Sequence, residues 1–377
     1  MKVRKILIAM SDTGGGHRSA AEALATVITN RYGDAFQVTI ADLISDYTFW
    51  PLSQLRHAYA PVVHNAEPLY RFSYWLPKAP ARWWLMRQAI TPLVRERMGQ
   101  FLQHVEPDLF VSVHSLLIDI PHDLLRKAGN NCPIAVVVTD LGSGHPTWFS
   151  PHADLITLGS QALYEVARSR GISAARIKPL GLPVSPRFIV PAQDQAVVRQ
   201  TLGLAPDRPL ALLIGGGEGM GPLHEIACAL AAALQDVNGQ LAVICGRNER
   251  LHAELQAETW PVPVAVQGFV RNMSEWMLAS DCVVTKAGPG TIVEACIVGR
   301  PIMLSGFVVG QEAGNVTYVV ENGIGAYSPQ PAEIGRIVAD WLRPGNPALA
   351  EMAARARAMA KPHATNDIVD AVLSLLD

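Results

Sequence analysis

The sequence predicts an α/β protein built from two parallel-sheet domains. Three observations carry that expectation. Short apolar runs alternate with amphipathic helical stretches along the 377 residues, as when strands are joined by crossover helices. The runs fall into two sets, separated by the proline-bearing segment LGLPVSPRFIVPAQD, which places a linker near residues 183–195. In each set the first strand runs into a triple glycine, Gly14–Gly16 and Gly215–Gly217.

Taken in order, the strands of the first half are KILIAM, QVTIADL, LFVSVH, IAVVVTD and DLITLG. Those of the second half are PLALLIG, QLAVICG, VAVQGF, DCVVTK and PIMLSG. The length suits two Rossmann-like domains, residues 1–187 and 188–361. ATNDIVDAVLSLLD reads as a C-terminal helix, within residues 362–377, that packs back on the first domain. Open α/β sheets bind ligands at the carboxyl ends of their strands. Two such domains facing a common cleft suit a transfer between two substrates.

Composition allows a large core, with 49% of residues hydrophobic and 17% charged. The net charge of −2 hides an asymmetry. Through residue 187 nineteen Lys and Arg face fourteen Asp and Glu; beyond it twelve face nineteen. A basic first half points to an anionic surface or substrate. Five scattered cysteines (132, 228, 245, 282 and 296) without a CxxC argue for a reducing compartment and against structural zinc. MKVRKILIAMS has too short an apolar core for a secretory signal, and no run approaches 18 apolar residues. A protein that is soluble or lies on a membrane is expected.

In the second half, DCVVTKAGPGTIVEA reads as strand, turn and helix. Gly288, Pro289 and Gly290 make the turn and Thr291 starts the helix, whose free N–H groups suit a diphosphate. Glu294, one turn on, suits ribose hydroxyls. Gln311, Glu312 and Asn315 of QEAGN suit sugar hydroxyls, or merely cap a helix. Gly216 and Gly217 let backbone approach the diphosphate; Gly268, Phe269 and Val270 end a strand where a flat base fits. The chain has no Asp-x-Asp pair, so no metal is expected and helix ends neutralise the phosphates.

In the first half, His17 follows Gly15 and Gly16 at a helix start, where an imidazolium is disfavoured. A neutral ring there suits a general base on an acceptor hydroxyl. Asp12 and Asp140, each after a strand, are alternatives for orienting it. Residues 70–97 carry six Lys and Arg against one Glu, with Trp75, Trp83 and Trp84 among six aromatics. That mixture suits a membrane interface, or a solvated basic face. Trp50–Pro51, His145 and Trp148 lie after strands and are candidates for the acceptor side. Basic and aromatic mixtures also bind single strands, but no nucleic-acid module accompanies this one, and nucleic acid is not expected.

Together SDTGGGHRSAAEA, FWPLSQL, VTDLGSGHPTWF, GLPVSPRF, GGGEGMGP, VICGRN, KAGPGTIVEA and GQEAGNVTYVVENG resemble the monogalactosyldiacylglycerol synthases, from residue 11 to about 325. These are glycosyltransferases of the GT-B fold. The resemblance implies transfer of galactose from UDP-galactose to 1,2-diacylglycerol with inversion to a β-linkage. It implies His17 as base, and UDP contacts on Gly288–Thr291, Glu294, Gln311 and Glu312. It implies acceptor or anionic-lipid contacts at Trp148 and Pro51. No cofactor is implied, UDP-sugar being the donor substrate. A peripheral protein at the cytoplasmic face of the cell membrane follows, and a bacterial rather than transit-peptide-bearing member. His114–Ser115 departs from the family's His-Pro. UDP-glucose in place of UDP-galactose stays open, as does the oligomeric state. Two other classes stay in view: a non-catalytic lipid- or nucleotide-binding protein, and an NAD-dependent oxidoreductase with Asp42 as its ribose acid.

Overall fold

The computed structural model describes every residue except 1, 2, 14, 190–192 and 220, and not the side chains of 60, 61 and 63–65. Gly14 of the first triple glycine and part of the expected linker therefore lie outside the described residues. By packing, the chain forms two units. The first holds residues up to Pro186 together with Val309–Gln311 and His363–Asp377; the second holds Arg187–Val308 and Glu312–Pro362.

In the first unit the order is β1 (Arg4–Met10), α1 (Gly16–Tyr32), β2 (Phe36–Asp42), α2 (Leu55–Asn65), α3 (Glu67–Trp75), α4 (Pro80–Val105), β3 (Leu109–Ser112), α5 (Asp119–Lys127), β4 (Ile134–Val137), β5 (Leu155–Thr157), α6 (Gln161–Ser169) and β6 (Ile177–Lys178). All strands are parallel, in the order β2-β1-β3-β4-β5-β6. The apolar runs are continuous rather than alternating because both faces are covered. Leu7, Phe110, Val136 and Ile156 enter one core, Ile6, Ile8, Val111 and Ala135 the other.

The second unit runs α7 (Gln195–Thr201), β7 (Leu210–Ile214), α8 (Leu223–Leu234), β8 (Gln240–Ile244), α9 (Glu249–Ala257), β9 (Val264–Gln267), α10 (Met273–Ala279), β10 (Cys282–Lys286), α11 (Pro289–Val298), β11 (Ile302–Gly306), α12 (Ala313–Glu321), β12 (Gly325–Tyr327), α13 (Pro331–Trp341) and α14 (Pro347–Met359). Its sheet is also parallel, ordered β12-β11-β10-β7-β8-β9.

All ten expected strands are present, and each sheet gains a sixth. β6 and β12 span two and three residues, too short for any periodicity to mark them. The chain reverses its direction of travel across the sheet between β1 and β3 in the first unit, and between β7 and β10 in the second. Loops leaving adjacent strands diverge at such a reversal and open a crevice at the carboxyl ends.

The last helix, α15 (Ala364–Leu373), belongs to the first unit. Its Ile368, Val369 and Val372 share a core with Ile6, Ile8 and Leu24. Thr365 ties it down: its hydroxyl donates to the Val184 carbonyl at 2.7 Å and accepts the Val184 N–H at 2.9 Å. Replacing that hydroxyl with a methyl leaves two buried backbone groups unpaired. Thr365→Val should lower stability by about 2 kcal/mol, read as an earlier midpoint in chemical denaturation. An unchanged midpoint would contradict the assignment.

Candidate active site

In the first unit the crevice between β1 and β3 holds His17. Gly15, in the left-handed region at φ 79°, caps α1 without a side chain, so the helix begins almost directly after β1. The imidazole is thereby carried back over the end of β3. Its Nδ1 lies 2.7 Å from the Val113 carbonyl and 3.0 Å from the Thr139 hydroxyl. A carbonyl can only accept, so Nδ1 carries the hydrogen and Nε2 of the neutral ring carries the lone pair. Burial lowers the imidazole from 6.5 to about 4, and the bond to Val113 opposes that shift. The ring is neutral, as the sequence leads one to expect, but desolvation is its largest cause.

Neither acid considered for orienting His17 takes that role among the described contacts. Asp12 is held by Arg18 at 2.9 Å, and its N–H donates to Asp42 at 3.0 Å. Asp140 receives the Trp148 indole N–H at 2.8 Å and the His145 N–H at 3.2 Å. The groups that hold His17 are Val113 and Thr139, which the reading of the sequence had not named. Both follow strands adjacent in the sheet, β3 and β4, so the strand-end rule applied to Thr139 would have found one of them.

Trp148 is 1% exposed and stands 6.3 Å from His17, ring centre to ring centre. It is a buried wall of the site. His145 is buried too. Its Nδ1 accepts the Thr147 N–H and its Nε2 donates to the Tyr74 carbonyl at 3.0 Å. Burial lowers it to about 4, so it is a neutral tie between its loop and α3.

Trp50, followed by a cis bond to Pro51, is 78% exposed. Leu69, Phe72 and Trp75 on α3 and Trp84 and Leu85 on α4 are also exposed. Arg82 stacks on Trp75 at 3.6 Å. Trp83 differs from this group. It is partly buried, packs on the first core and donates to Asp119 at 2.6 Å. Asp42, the ribose acid of the oxidoreductase reading, is buried with both oxygens engaged. They accept the N–H groups of Asp12, Ile44 and Ser45 and the Ser45 hydroxyl. A ribose finds no free oxygen there.

In the second unit the crevice between β7 and β10 is built of glycine loops. Gly246, at φ 60°, brings its backbone so close that a Cβ would sit 2.5 Å from the Gly216 and Gly217 carbonyls. The loop after β8 thus packs flat on Gly216–Gly217. The Arg247 N–H donates to Gly217 at 2.9 Å, and its guanidinium lies 4.9 Å from the centre of the exposed Phe269 ring. Gly268 and Val270 flank that ring on the same strand end.

After β10, Gly288 caps α11 with Pro289 in the first turn. The N–H groups of Gly290 and Thr291 have no partner within the helix at these positions, and the space beside Gly290 is open. Glu294 lies one turn further along α11, and burial raises its carboxyl from 4.5 to about 7. Lys286 stands by the same loop. A Cβ on Gly288 would be 3.3 Å from its ammonium.

The QEAGN side chains are engaged within their own units. Glu312 accepts from Lys286 at 2.5 Å and from the Val308 N–H at 2.8 Å. Asn315 donates to the Ala287 carbonyl at 2.8 Å. Gln311, which packs with the first unit, accepts from the Tyr70 and Tyr59 hydroxyls at 3.0 and 3.3 Å. Glu312 and Asn315 therefore shape the loop and place the Lys286 cation. Lys286 is the residue here that the sequence reading missed, although it ends the strand DCVVTK. Among the described residues no group of three or more His, Cys, Asp or Glu converges as a metal site.

The His17 assignment gives a direct expectation. With its pKa near 4, the ring is neutral above that pH and charged only below it. The His17 Cε1–H signal, followed by NMR, should titrate with a midpoint of about 4. A midpoint near 6.5 would contradict it.

The monogalactosyldiacylglycerol (MGDG) synthase family matches residues 17–184, and the glycosyltransferase family 28 C-terminal domain matches residues 210–367. Monogalactosyldiacylglycerol synthase 1, chloroplastic, of Arabidopsis thaliana is 42% identical over 373 residues, spanning 97% of this chain and 70% of the relative. The Spinacia oleracea monogalactosyldiacylglycerol synthase is 41% identical over 97% and 71%. MurG of Acinetobacter baumannii shares the fold at a TM-score of 0.61 with 15% identity, over 98% of this chain and 99% of MurG. The calicheamicin glycosyltransferase CalG4 does so at 0.62 and 16%, over 99% of each chain. The paired parallel sheets are those of the GT-B glycosyltransferases. With a neutral histidine in one crevice and glycine-rich loops in the other, this hexosyltransferase belongs to the monogalactosyldiacylglycerol synthase family.

Proposed function

We propose that the protein transfers galactose from UDP-galactose to the free hydroxyl of 1,2-diacylglycerol, with inversion, giving β-monogalactosyldiacylglycerol. The observation that carries this reading is His17 with its proton held on Nδ1 by Val113 and a bare Nε2. Nε2 takes the hydroxyl proton as the oxygen bonds to the anomeric carbon and the bond from that carbon to the UDP oxygen breaks. A neutral base at working pH is what the step needs. UDP leaves with the electron pair, and the Gly290 and Thr291 N–H groups and the Lys286 cation offset the charge.

For the donor, Gly216 and Gly217 carry backbone close to the diphosphate. Glu294, half-buried and without a hydrogen-bond partner among the described residues, suits the ribose hydroxyls. Phe269 under Arg247, with Gly268 and Val270, suits the uracil face. The family of the curated relatives favours galactose; HepE of Anabaena, a neighbour at 17% identity, was solved with UDP-glucose and adds only the fold.

Diacylglycerol lives in a bilayer, and no helix among the described residues is long and apolar enough to cross one. Exposed Phe72, Trp75 and Trp84, in one segment with Arg71, Lys78 and Arg82, and exposed Trp50 suit peripheral docking on an anionic membrane, at the cytoplasmic face.

Incubation with each UDP-sugar and diacylglycerol in anionic vesicles, followed by mass and linkage analysis, tests the proposal. A β-galactolipid is expected; a glucolipid alone moves the donor to UDP-glucose, and no lipid-linked hexose refutes the reading. His17→Ala should lower turnover by about 10²- to 10⁴-fold with the Kd for UDP unchanged; normal turnover removes His17 from the mechanism. Trp75→Ser/Trp84→Ser should weaken sedimentation with anionic vesicles about tenfold or more. Equal binding would place the membrane face elsewhere.

A further inference from the structure

A second histidine stands beside His17. His114 follows β3 and is 8% exposed. Its Nδ1 accepts the Leu116 N–H at 3.2 Å. A backbone amide can only donate, so the neutral ring carries its hydrogen on Nε2. Burial, with His17 and His145 nearby, pushes the ring well below the usual histidine range and keeps it neutral. It meets His17 edge-on, ring centres 4.6 Å apart.

Neither Nε2 has a hydrogen-bond partner among the described residues. Among the described residues, the buried side-chain polar atoms lacking one are the hydroxyls of Ser11, Thr91 and Thr157. Both Nε2 atoms therefore reach accessible space. The edge-on pair then offers a lone pair from His17 and an N–H from His114, in fixed tautomers. A base alone would leave that donor without a task.

The geometry points to His114 as an acceptor-binding, specificity-determining residue whose Nε2–H holds an ester carbonyl of the lipid. This rests on the proposed transfer to diacylglycerol. Donation to the attacking oxygen itself would draw electron density from the nucleophile. The remaining oxygens of a diacylglycerol are ester oxygens, and the carbonyls are the strong acceptors among them. Holding one beside His114 sets the free hydroxyl beside His17. The site then distinguishes diacylglycerol from a glycerol diether of equal chain length, which offers ether oxygens only.

The test compares transfer to a diacylglycerol and to the matched dialkylglycerol, in vesicles of one composition. Wild-type kcat/KM should favour the diester by about tenfold, the worth of one hydrogen bond lost with its partner left unpaired. His114→Asn keeps an acceptor for Leu116 at the Nδ1 position and removes the outer donor; it should raise KM for the diester and erase the preference, with the Kd for UDP unchanged. His114→Gln, which puts an amide N–H near Nε2, should restore it. Wild-type indifference to the diether, or an undiminished preference in His114→Asn, overturns the assignment. Should that variant fail to fold, the wild-type comparison decides by itself. Absence of transfer to either lipid by the wild-type enzyme would instead sink the proposed function.

Discussion

The bond from His17 to the Val113 carbonyl is the constraint on which the proposed base of the first unit depends. Val113 is fixed by the sheet, since its own N–H donates to the Ala9 carbonyl at 3.0 Å and so joins the end of β3 to β1. The carbonyl that remains can only accept. An imidazole arriving there must bring a hydrogen on Nδ1, and its other nitrogen is left as a base. Tautomer, orientation and charge state all follow from backbone geometry and burial. Gly15 is the local condition for this, because a side chain in that left-handed turn would be strained.

The second unit uses the same topology for a different task. Its reversal between β7 and β10 opens a crevice of the same kind, and there the chain supplies backbone N–H groups and a cation in place of a base. Glycine is required where loops touch: Gly246 against Gly216 and Gly217 admits no Cβ. The Lys286–Glu312 pair costs desolvation, which the second oxygen of Glu312 partly offsets by accepting the Val308 N–H. The pair fixes where the positive charge stands beside the α11 terminus.

The fold was legible because a parallel sheet covered on both faces needs continuous apolar strands, and runs such as LALLI and LAVI are hard to read otherwise. β6 and β12 were not, since two or three residues carry no pattern. At the site, residue type and strand-end position singled out His17, Gly288–Thr291 and Glu294. Partnership was beyond reach. Sequence could not choose between Asp12 and Asp140, and the structure gives His17 a carbonyl, which no sequence motif advertises. Nor could it tell that Trp83 turns inward to Asp119 while Trp84 stays exposed: adjacent residues on a helix differ by about 100° in direction, and the segment's composition does not set its phase. Gln311 and Glu312 are neighbours in sequence, yet one packs with the first unit and the other with the second.

The most direct test of the central claim is the tautomer of His17. Nitrogen-15 spectra of histidine-labelled protein at pH 7, assigned through His17→Gln, separate protonated from bare ring nitrogens. The account predicts a protonated Nδ1 and a bare Nε2. A ring protonated at Nε2, or at both nitrogens, would contradict it.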